Sequence, residues 1–316
     1  MTTTALRMAV LGAGGIGAYY ASGFAAGGAD VHLIARGAHL EALRRDGLTI
    51  ETPEGTTHHA LDATGEPTEI GPVDVVLFCV KSYDTETAAA RLAPLLGPDT
   101  AVVSLQNGID NEAKIADAIG WGHVLGGAAY IFAAIRVPGV VVASGPRSIV
   151  FGEWTGGEPT PRVRAILDVA AAGGLGATAA ANVQVAKWEK YVLLAALSAV
   201  SAATRLPLGD IRRSSAAVAL LRDLMTEIWA VGRASGVPLE DGLVDRQFAL
   251  VMSQADDSKS SLQTDLVNGH RMELEALQGA TLRLGRERGV ATPKMAAAYA
   301  LLEPWAIRNA ATTGLR

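Results

Sequence analysis

The sequence predicts an α/β domain followed by an all-helical C-terminal domain. A chain of 316 residues is long enough for two domains. Over its first half, short apolar runs typical of strands alternate with helical stretches, whereas from Pro161 onward the pattern is helical. The small-residue segment 173–182 lies between the two patterns. We therefore expect one domain over residues 1–178 and a second over residues 179–316.

The composition excludes several classes of function. Apolar residues make up 49% of the chain and charged residues 19%, which is typical of a folded globular protein. The net charge is -5 and no Lys/Arg cluster is present, so we expect no nucleic-acid partner. No apolar run approaches about 18 residues, so we expect no membrane span. Cys79 is the only cysteine, which excludes an internal disulfide and a CxxC metal site and favours the reducing cytoplasm.

The first element is a βαβ unit over residues 6–36. The apolar run 8–11 leads into Gly12-Ala13-Gly14-Gly15-Ile16-Gly17, and a small-residue helix and a second β-rich run follow. The first glycine suits the tight turn, the second lets the backbone approach a pyrophosphate, and the last lets the helix pack closely on the strand. The helix N-terminus then offers N–H groups to phosphates. This Rossmann-type fingerprint predicts dinucleotide contacts at Gly12, Gly14, Gly15, Ile16 and Gly17; the alternative is a bare structural turn.

The residue after the second strand bears on the choice of cofactor. Arg36 follows the run 31–34, and no carboxylate occurs between that run and Glu41. NAD enzymes usually bind the ribose with an Asp or Glu near this point, whereas an Arg accommodates the 2'-phosphate of NADP. Arg36 therefore favours NADPH, and the alternative is a solvated loop arginine.

Two further strands are expected to deliver polar residues to one edge of the sheet. After a short helix over 37–47 and an extended hairpin over 48–64, the apolar run 73–80 is typical of a buried parallel strand and ends at Lys81. A strand over 101–105 leads into Gln106-Asn107-Gly108, and the segment 85–96 between the two strands is predicted to be a helix. Ligands bind outside the carboxyl ends of such strands, so the side chains of Lys81 and Asn107 are expected at the cofactor and substrate crevice. Each alone would also suit an ordinary cap or turn.

The rest of the first domain is predicted to extend the sheet. Three β-rich runs, at 124–135, 140–143 and 148–151, are separated by Val-Pro-Gly and Gly-Pro-Arg breaks. Those spacings favour an antiparallel extension.

The second domain begins with a helix that is apolar almost all round. Residues 182–204 show the pattern of a buried helix, yet Lys190 lies near the middle. A lysine is rarely buried without a partner, so its charge must reach a cleft or an acid. A later helix-rich stretch contains Ser261 and, twelve residues on, Glu273.

Motifs spread along the chain resemble those of a known family. They are LGAGGIG at 11–17, VKSYDT at 80–85, LQNG at 105–108, Trp188-x-Lys190, and SSLQTDL with RMELEALQG over 260–279. Together with Arg36 they are similar to the motifs of the ketopantoate reductase (2-dehydropantoate 2-reductase) family, over nearly the whole chain. The last block resembles that family's SSMxQD and TEIDxxNG segments, with Glu273 in the place of the acid. The resemblance implies an NADPH-dependent enzyme of pantothenate synthesis.

The same resemblance implies a role for each matched residue. Lys190 would donate to the carbonyl oxygen as general acid, and Glu273 would orient the substrate and its proton network. Ser261 would help to bind the substrate carboxylate. Lys81 and Asn107 would contact the cofactor ribose or the reacting centre. The alternative for Lys190 and Glu273 is an interhelical ion pair.

The chain departs from the family pattern on the face of the lysine helix. The family places asparagines four and eight residues after the lysine, positions that return to the same face. This sequence has Leu194 and Ser198 there. An apolar residue at the first position would leave a hydroxyl of ketopantoate without a partner, which costs about 1 to 3 kcal/mol. Ser198, Ser201 or a residue of another helix is an alternative source of the missing hydrogen bond.

Three hypotheses about function follow from the sequence. The first is an NADPH-dependent 2-oxoacid reductase, nominally ketopantoate reductase. The second is a reductase of the same fold that acts on a less polar ketone, oxoacid or imine, as Leu194 suggests. The third is a non-catalytic NADP(H) sensor, against which Lys190 and Glu273 argue because a sensor needs neither. Apolar helices in the second domain also suggest a homodimer.

Overall fold

The computed structural model describes residues 5–313. The chain divides into two compact units. The first comprises the segments up to Gln106 and from Asn111 to Ala186, and the second comprises Asn107–Asp110 and the segment from Lys187 onward. The first unit is α/β and the second is helical, which confirms the predicted fold class. A boundary after residue 178 would cut a strand at 176–179 that pairs within the first unit's sheet.

The first unit is built on a ten-stranded sheet, counted over the described residues. Its strands are β1 (Arg7–Leu11), β2 (Asp30–Ile34), β3 (Leu48–Thr52), β4 (Gly55–His59), β5 (Asp62–Thr64), β6 (Val73–Phe78), β7 (Leu96–Ser104), β8 (Val124–Val137), β9 (Val140–Glu153) and β10 (Gly176–Ala179). Its helices are α1 (Gly15–Ala26), α2 (Gly37–Asp46), α3 (Thr85–Ala89), α4 (Asn111–Ile119) and α5 (Pro161–Ala172). The strand order is β4-β3-β9-β8-β7-β6-β1-β2-β5, with β10 beside β9.

The centre of this sheet is parallel and buried on both faces. Strands β2, β1, β6, β7 and β8 pair in parallel in that order. Along β1, Met8 and Val10 belong to one apolar cluster, whereas Ala9 and Leu11 belong to the other. Because successive strand side chains point to opposite faces, the continuous apolar runs of the sequence fill both clusters. The predicted βαβ unit and buried parallel strand are therefore confirmed.

The predicted helix over 85–96 is wrong beyond its first turns. Helix α3 ends at Ala89, a 3₁₀ turn spans Ala93–Leu95, and β7 already begins at Leu96. Pro94 lacks the N–H that a continuing helix would use, which explains the early stop. Gly97 and Pro98 thus lie inside the strand, next to a shift in its pairing with β6.

The three predicted β-rich runs after residue 123 form only two strands. The antiparallel pairing of β8 with β9 is confirmed, but β9 continues through Gly145-Pro146-Arg147. Those three residues face Ile131 alone, between the pairs Tyr130↔Ser148 and Phe132↔Ser144. The segment is a bulge, where a proline without an N–H is tolerated. The purely helical pattern expected after Pro161 is also wrong at β10, a four-residue strand parallel to β9.

The second unit is helical over its described residues. Its helices are α6 (Val183–Thr204), α7 (Leu208–Arg212), α8 (Ser215–Ala234), α9 (Leu243–Met252), α10 (Ser261–Val267), α11 (Ala280–Arg288) and α12 (Pro293–Thr313). Helix α6 confirms the helix predicted over 182–204; its first four residues lie in the first unit. An apolar cluster joins the end of α6 to α10 and α12 through Ala202, Leu262 and Leu302. Among the described residues, no helix is both long enough and apolar enough to cross a membrane.

Candidate active site

The glycine loop between β1 and α1 has the geometry of a phosphate site. Gly12 adopts a φ of +94°, and its N–H donates to the carbonyl oxygen of Ile34 at 3.2 Å. A Cβ on Gly17 would lie 2.4 Å from the oxygen of Gly12, so helix and turn are in direct contact. Around Gly14 no atom lies within 4 Å of such a Cβ, which leaves room for a phosphate. The loop therefore fits a dinucleotide.

The first turn of α1 supplies the donors for such an anion. The N–H of Ala18 donates to the oxygen of Gly14 at 2.9 Å and starts the helical ladder. The N–H groups of Gly15, Ile16 and Gly17 precede that bond and have no acceptor within the helix. They are the groups that a helix N-terminus offers to a phosphate.

Arg36 lies at the start of α2, at the carboxyl end of β2. Its side chain is 90% exposed, and Nη2 donates to Oδ2 of Asp84 at 2.9 Å. Asp84 comes from the segment after β6, so a carboxylate stands beside Arg36 in space although none stands beside it in the sequence. The sequence around Arg36 therefore did not show that the fold brings an acid to it. The exposed guanidinium still has donors that can bind a phosphate.

The polar residues at the ends of β6 and β7 lie at one edge of the sheet. Lys81 is exposed directly after β6. After β7, Nε2 of Gln106 donates to the oxygen of Val80 at 2.9 Å and to Oγ1 of Thr85 at 2.8 Å. These bonds fasten the two strand ends together at the edge where ligands of open α/β sheets bind.

Lys190 is the candidate proton donor of the second unit. It is partly buried on α6, and its Nζ donates to Oδ1 of Asn107 at 2.8 Å. Burial, and to a lesser extent the charge of Lys187, lower the pKa of Lys190, Glu273 raises it, and the net value is about 7. Near neutral pH the amine thus exists in both protonation states, as a proton donor requires.

Glu273 is buried just before the helical turn that leads into α11. Three hydrogen bonds hold α6 against this region. The hydroxyl of Tyr191 donates to the oxygen of Leu277 and bonds Oγ1 of Thr281, and Nε2 of Gln278 donates to the oxygen of Ala195 at 2.9 Å. The backbone spanning Glu275–Gly279 has a π-helical pattern, a feature frequent at functional sites.

The comparison with known families decides the identity of this arrangement. The family model "Ketopantoate reductase PanE/ApbA" matches residues 8–156, and the model of its C-terminal part matches residues 182–305. The chain belongs to the ketopantoate reductase family. The resemblance stated from the sequence is therefore confirmed.

Individual relatives match almost the whole chain. The 2-dehydropantoate 2-reductase of Halobacterium salinarum is 31% identical over 290 residues, which cover 91% of this chain and 95% of the relative. The structure of a PanE/ApbA family ketopantoate reductase from Ralstonia eutropha is 32% identical, with a TM-score of 0.89 over 96% of this chain and 99% of that one. A D-mandelate dehydrogenase with NADH and anilino(oxo)acetate shares the fold at 20% identity, with a TM-score of 0.86 over 96% and 99% of the two chains.

The two positions that depart from the ketopantoate reductase pattern differ in their surroundings. Leu194 is partly exposed, one turn beyond Lys190 on α6. Ser198 is fully buried, and its hydroxyl has no hydrogen-bond partner among the described residues. Ser201 is buried and shares a 2.7 Å hydrogen bond with the hydroxyl of Ser260. Neither serine presents a hydroxyl at the surface of α6.

Ser261 is not part of the buried pair formed by Ser201 and Ser260. It is exposed at the first position of α10, whereas its neighbour Ser260 caps the helix by accepting from the N–H of Gln263 at 3.1 Å. An exposed hydroxyl at a helix N-terminus suits a carboxylate.

Two charged residues of these regions were missed by sequence reasoning. Lys187 is buried one turn before Lys190, and Asp84 pairs with Arg36. The spacing Lys-x-x-Lys on a helix was the available signal for the first, because residues three apart share a face. Nothing local could reveal the second. No cluster of His, Cys, Asp and Glu that could hold a metal occurs within residues 5–313.

The pKa of Lys190 can be tested by competitive labelling with an amine-reactive reagent. Because only the neutral amine reacts, labelling of Lys190 should rise through a midpoint near pH 7. Lys294, whose pKa the carboxylate of Asp223 raises, serves as the internal control and should react only at much higher pH. Lys187→Met removes a like charge and should move the Lys190 midpoint upward. Equal midpoints for Lys190 and Lys294, read by peptide mass spectrometry, would contradict this assignment.

Proposed function

We propose that this chain reduces the carbonyl of a 2-oxoacid, nominally 2-dehydropantoate, to the 2-hydroxyacid with NADPH. The observation that carries the proposal is the ammonium of Lys190, which is partly buried, bonded to Asn107 at 2.8 Å and has a pKa of about 7. Membership in the ketopantoate reductase family supports the same reaction, and the 2-dehydropantoate 2-reductase of H. salinarum is a close relative.

The residues of the second unit account for the proton that the reaction needs. When bound, the dinucleotide supplies a hydride to the carbonyl carbon, and the C=O electron pair moves to oxygen. Lys190 hydrogen-bonds that oxygen and transfers a proton to it, which gives the hydroxyl group. Asn107 fixes the direction of the ammonium, and the negative charge of Glu273 keeps part of the lysine population protonated. Ser261 binds the substrate carboxylate.

The first unit would hold the cofactor. We assign the pyrophosphate to the loop and helix start formed by Gly12, Gly14, Gly15, Ile16 and Gly17, where N–H donors and open space coincide. Arg36 would bind the 2'-phosphate through guanidinium donors not used by Asp84. Lys81, exposed at the carboxyl edge of the sheet, would contact the cofactor ribose or the reacting centre.

A second candidate function is reduction of a less polar 2-oxoacid. Leu194 presents an apolar side chain one turn from Lys190, and the hydroxyls of Ser198 and Ser201 are shut inside the unit. A substrate hydroxyl beside Leu194 would lose its hydrogen bonds to water, whereas an alkyl group there would gain about 0.8 kcal/mol per buried methylene.

The remaining expectations are also proposals. A non-catalytic sensor of NADP(H) is disfavoured, because it would not need a lysine with a pKa near neutrality. A homodimer is favoured by exposed apolar side chains of α12, where Leu301 and Ile307 are each 66% exposed. A biosynthetic reductase with one free thiol fits the cytoplasm.

The proposed function is tested by following NADPH oxidation with 2-dehydropantoate and other 2-oxoacids. Lys190→Ala should lower kcat by about 10²- to 10⁴-fold, because the general acid is removed, and should leave NADPH binding intact. Lys294→Ala is the matched control and should keep normal turnover. No turnover with any 2-oxoacid, or normal turnover in Lys190→Ala, would sink the assignment.

Cofactor choice is expected to depend on Arg36. Arg36→Ala should weaken NADPH binding by about tenfold or more and change NADH binding little, because only NADPH carries the 2'-phosphate that the guanidinium would bind. The comparison is made by fluorescence titration with both cofactors, and Arg213→Ala, at an exposed arginine of the second unit, is the control. If the unmodified protein binds both cofactors equally well, Arg36 is not a selector.

The substrate side is expected to depend on Leu194. The matched pair of substrates is 2-dehydropantoate and 3,3-dimethyl-2-oxobutanoate, which differ by one hydroxyl group. The unmodified enzyme should have the higher kcat/KM with the second compound, and Leu194→Asn should shift the ratio about tenfold toward the first. Leu250→Asn, at an exposed leucine of α9, is the control and should leave the ratio unchanged. A clear preference for 2-dehydropantoate in the unmodified enzyme would refute the second candidate.

A further inference from the structure

His39 joins the glycine loop to a distant turn of the same unit. It lies in the first turn of α2 and is partly buried. Its Nε2 is 2.9 Å from the carbonyl oxygen of Ala13, within the glycine loop. Its Nδ1 is 3.0 Å from the backbone nitrogen of Gly139, at the turn between β8 and β9. One imidazole thus spans two segments that are far apart in the sequence.

The two partners fix the tautomer of this imidazole. The N–H of Gly139 can only donate, so Nδ1 must be the acceptor. The carbonyl of Ala13 can only accept, so Nε2 must carry the proton and donate it. Both bonds are made by the neutral ring, and burial lowers the pKa of His39, which favours that form. Each nitrogen of the imidazole therefore has one assigned partner, and the ring links the glycine loop to the turn between β8 and β9.

The bond to Ala13 bears on how the loop can receive an anion. Ala13 precedes Gly14, where open space and helix N–H donors meet. A carbonyl oxygen turned toward that space would repel a phosphate, because both carry negative charge. The imidazole N–H donates to the Ala13 oxygen and so keeps that oxygen from turning toward the space at Gly14.

Strand β8 belongs to the hairpin whose turn bonds His39, and it also packs against the glycine loop. A Cβ on Gly15 would lie 2.4 Å from the carbonyl oxygen of Ala133, so the start of α1 rests directly on β8. The turn that follows β8 carries Gly139, with a φ of +83°. The loop is therefore held at Gly15 by packing and at Ala13 through His39 by hydrogen bonds, both from one hairpin.

We propose that His39 is a positioning residue for cofactor binding: its Nε2–H orients the Ala13 carbonyl so that the glycine loop accepts the pyrophosphate of a nicotinamide dinucleotide. The proposal rests on the cofactor half of the proposed function and makes no use of the chemistry at Lys190. His39 touches neither the cofactor nor the reacting atoms. Its effect passes through the backbone of the loop.

Two conservative variants separate the two hydrogen bonds. In His39→Gln the amide nitrogen takes the place of Nε2 and keeps the bond to Ala13, whereas in His39→Asn the amide oxygen takes the place of Nδ1 and keeps only the bond to Gly139. Dissociation constants for NADPH and NADH are measured by fluorescence titration, without substrate. We expect His39→Asn to weaken both cofactors by about tenfold and His39→Gln to stay within about threefold of the unmodified protein. His58→Asn, at an exposed histidine of β4, is the control.

Steady-state kinetics supply the readout that distinguishes positioning from mere stability. His39→Asn should raise KM for the dinucleotide and leave kcat at saturating dinucleotide unchanged, with a melting temperature close to that of His39→Gln. Equal weakening by both variants, or unchanged binding in His39→Asn, overturns the proposal. If the unmodified protein binds a dinucleotide but reduces no 2-oxoacid, the proposed function fails while the binding comparison still decides the role of His39. If it binds neither dinucleotide, both fail.

Discussion

The partly buried ammonium of Lys190 is the constraint around which the helical unit is arranged. Removing a charged amine from water favours its neutral form, so an isolated lysine here would lose its proton. Asn107 accepts a hydrogen bond at 2.8 Å, and Glu273 adds a negative charge, and both favour the protonated form. Lys187 acts in the opposite direction. The pKa near neutrality is thus a balance of opposing effects.

The segment Asn107–Asp110 supplies the residue that accepts a hydrogen bond from Lys190. It follows β7 of the sheet, yet it clusters with the helices of the second unit. Asn107 bonds Lys190, and Asp110 accepts from Nη2 of Arg283 on α11 at 2.6 Å. The partner of the lysine is therefore supplied by the end of a strand and fastened by an ion pair three residues on. A change in the length of this connection would move the partner away from Lys190, so the position of the LQNG motif follows from the chemistry.

Local patterns were enough to predict the elements that carry most of the candidate site residues. Periodicity and glycine placement are local signals, readable within about thirty residues. They are enough to predict the glycine loop, the buried strand before Lys81 and the helix around Lys190. Asp84 beside Arg36 and Gly139 beside His39 could not be found in this way. Each is a contact between segments whose proximity depends on sheet order and hairpin register, which one sequence does not reveal. The bulge at Gly145-Pro146-Arg147 has the same cause, since the dipeptides typical of turns also suit bulges.

The two units place different limits on what the enzyme can recognise. In the proposed function the glycine loop would bind through backbone groups, whose contacts every dinucleotide can make alike. Few side chains of α6 are accessible to a substrate, because residues 195–202 are all buried. Beyond Lys190 the helix presents only Leu193 and Leu194 as partly exposed positions before that stretch. Polar recognition of a substrate substituent beyond Lys190 would therefore have to come from elements other than this helix, whereas an alkyl substituent, as in the second candidate function, would contact Leu193 and Leu194.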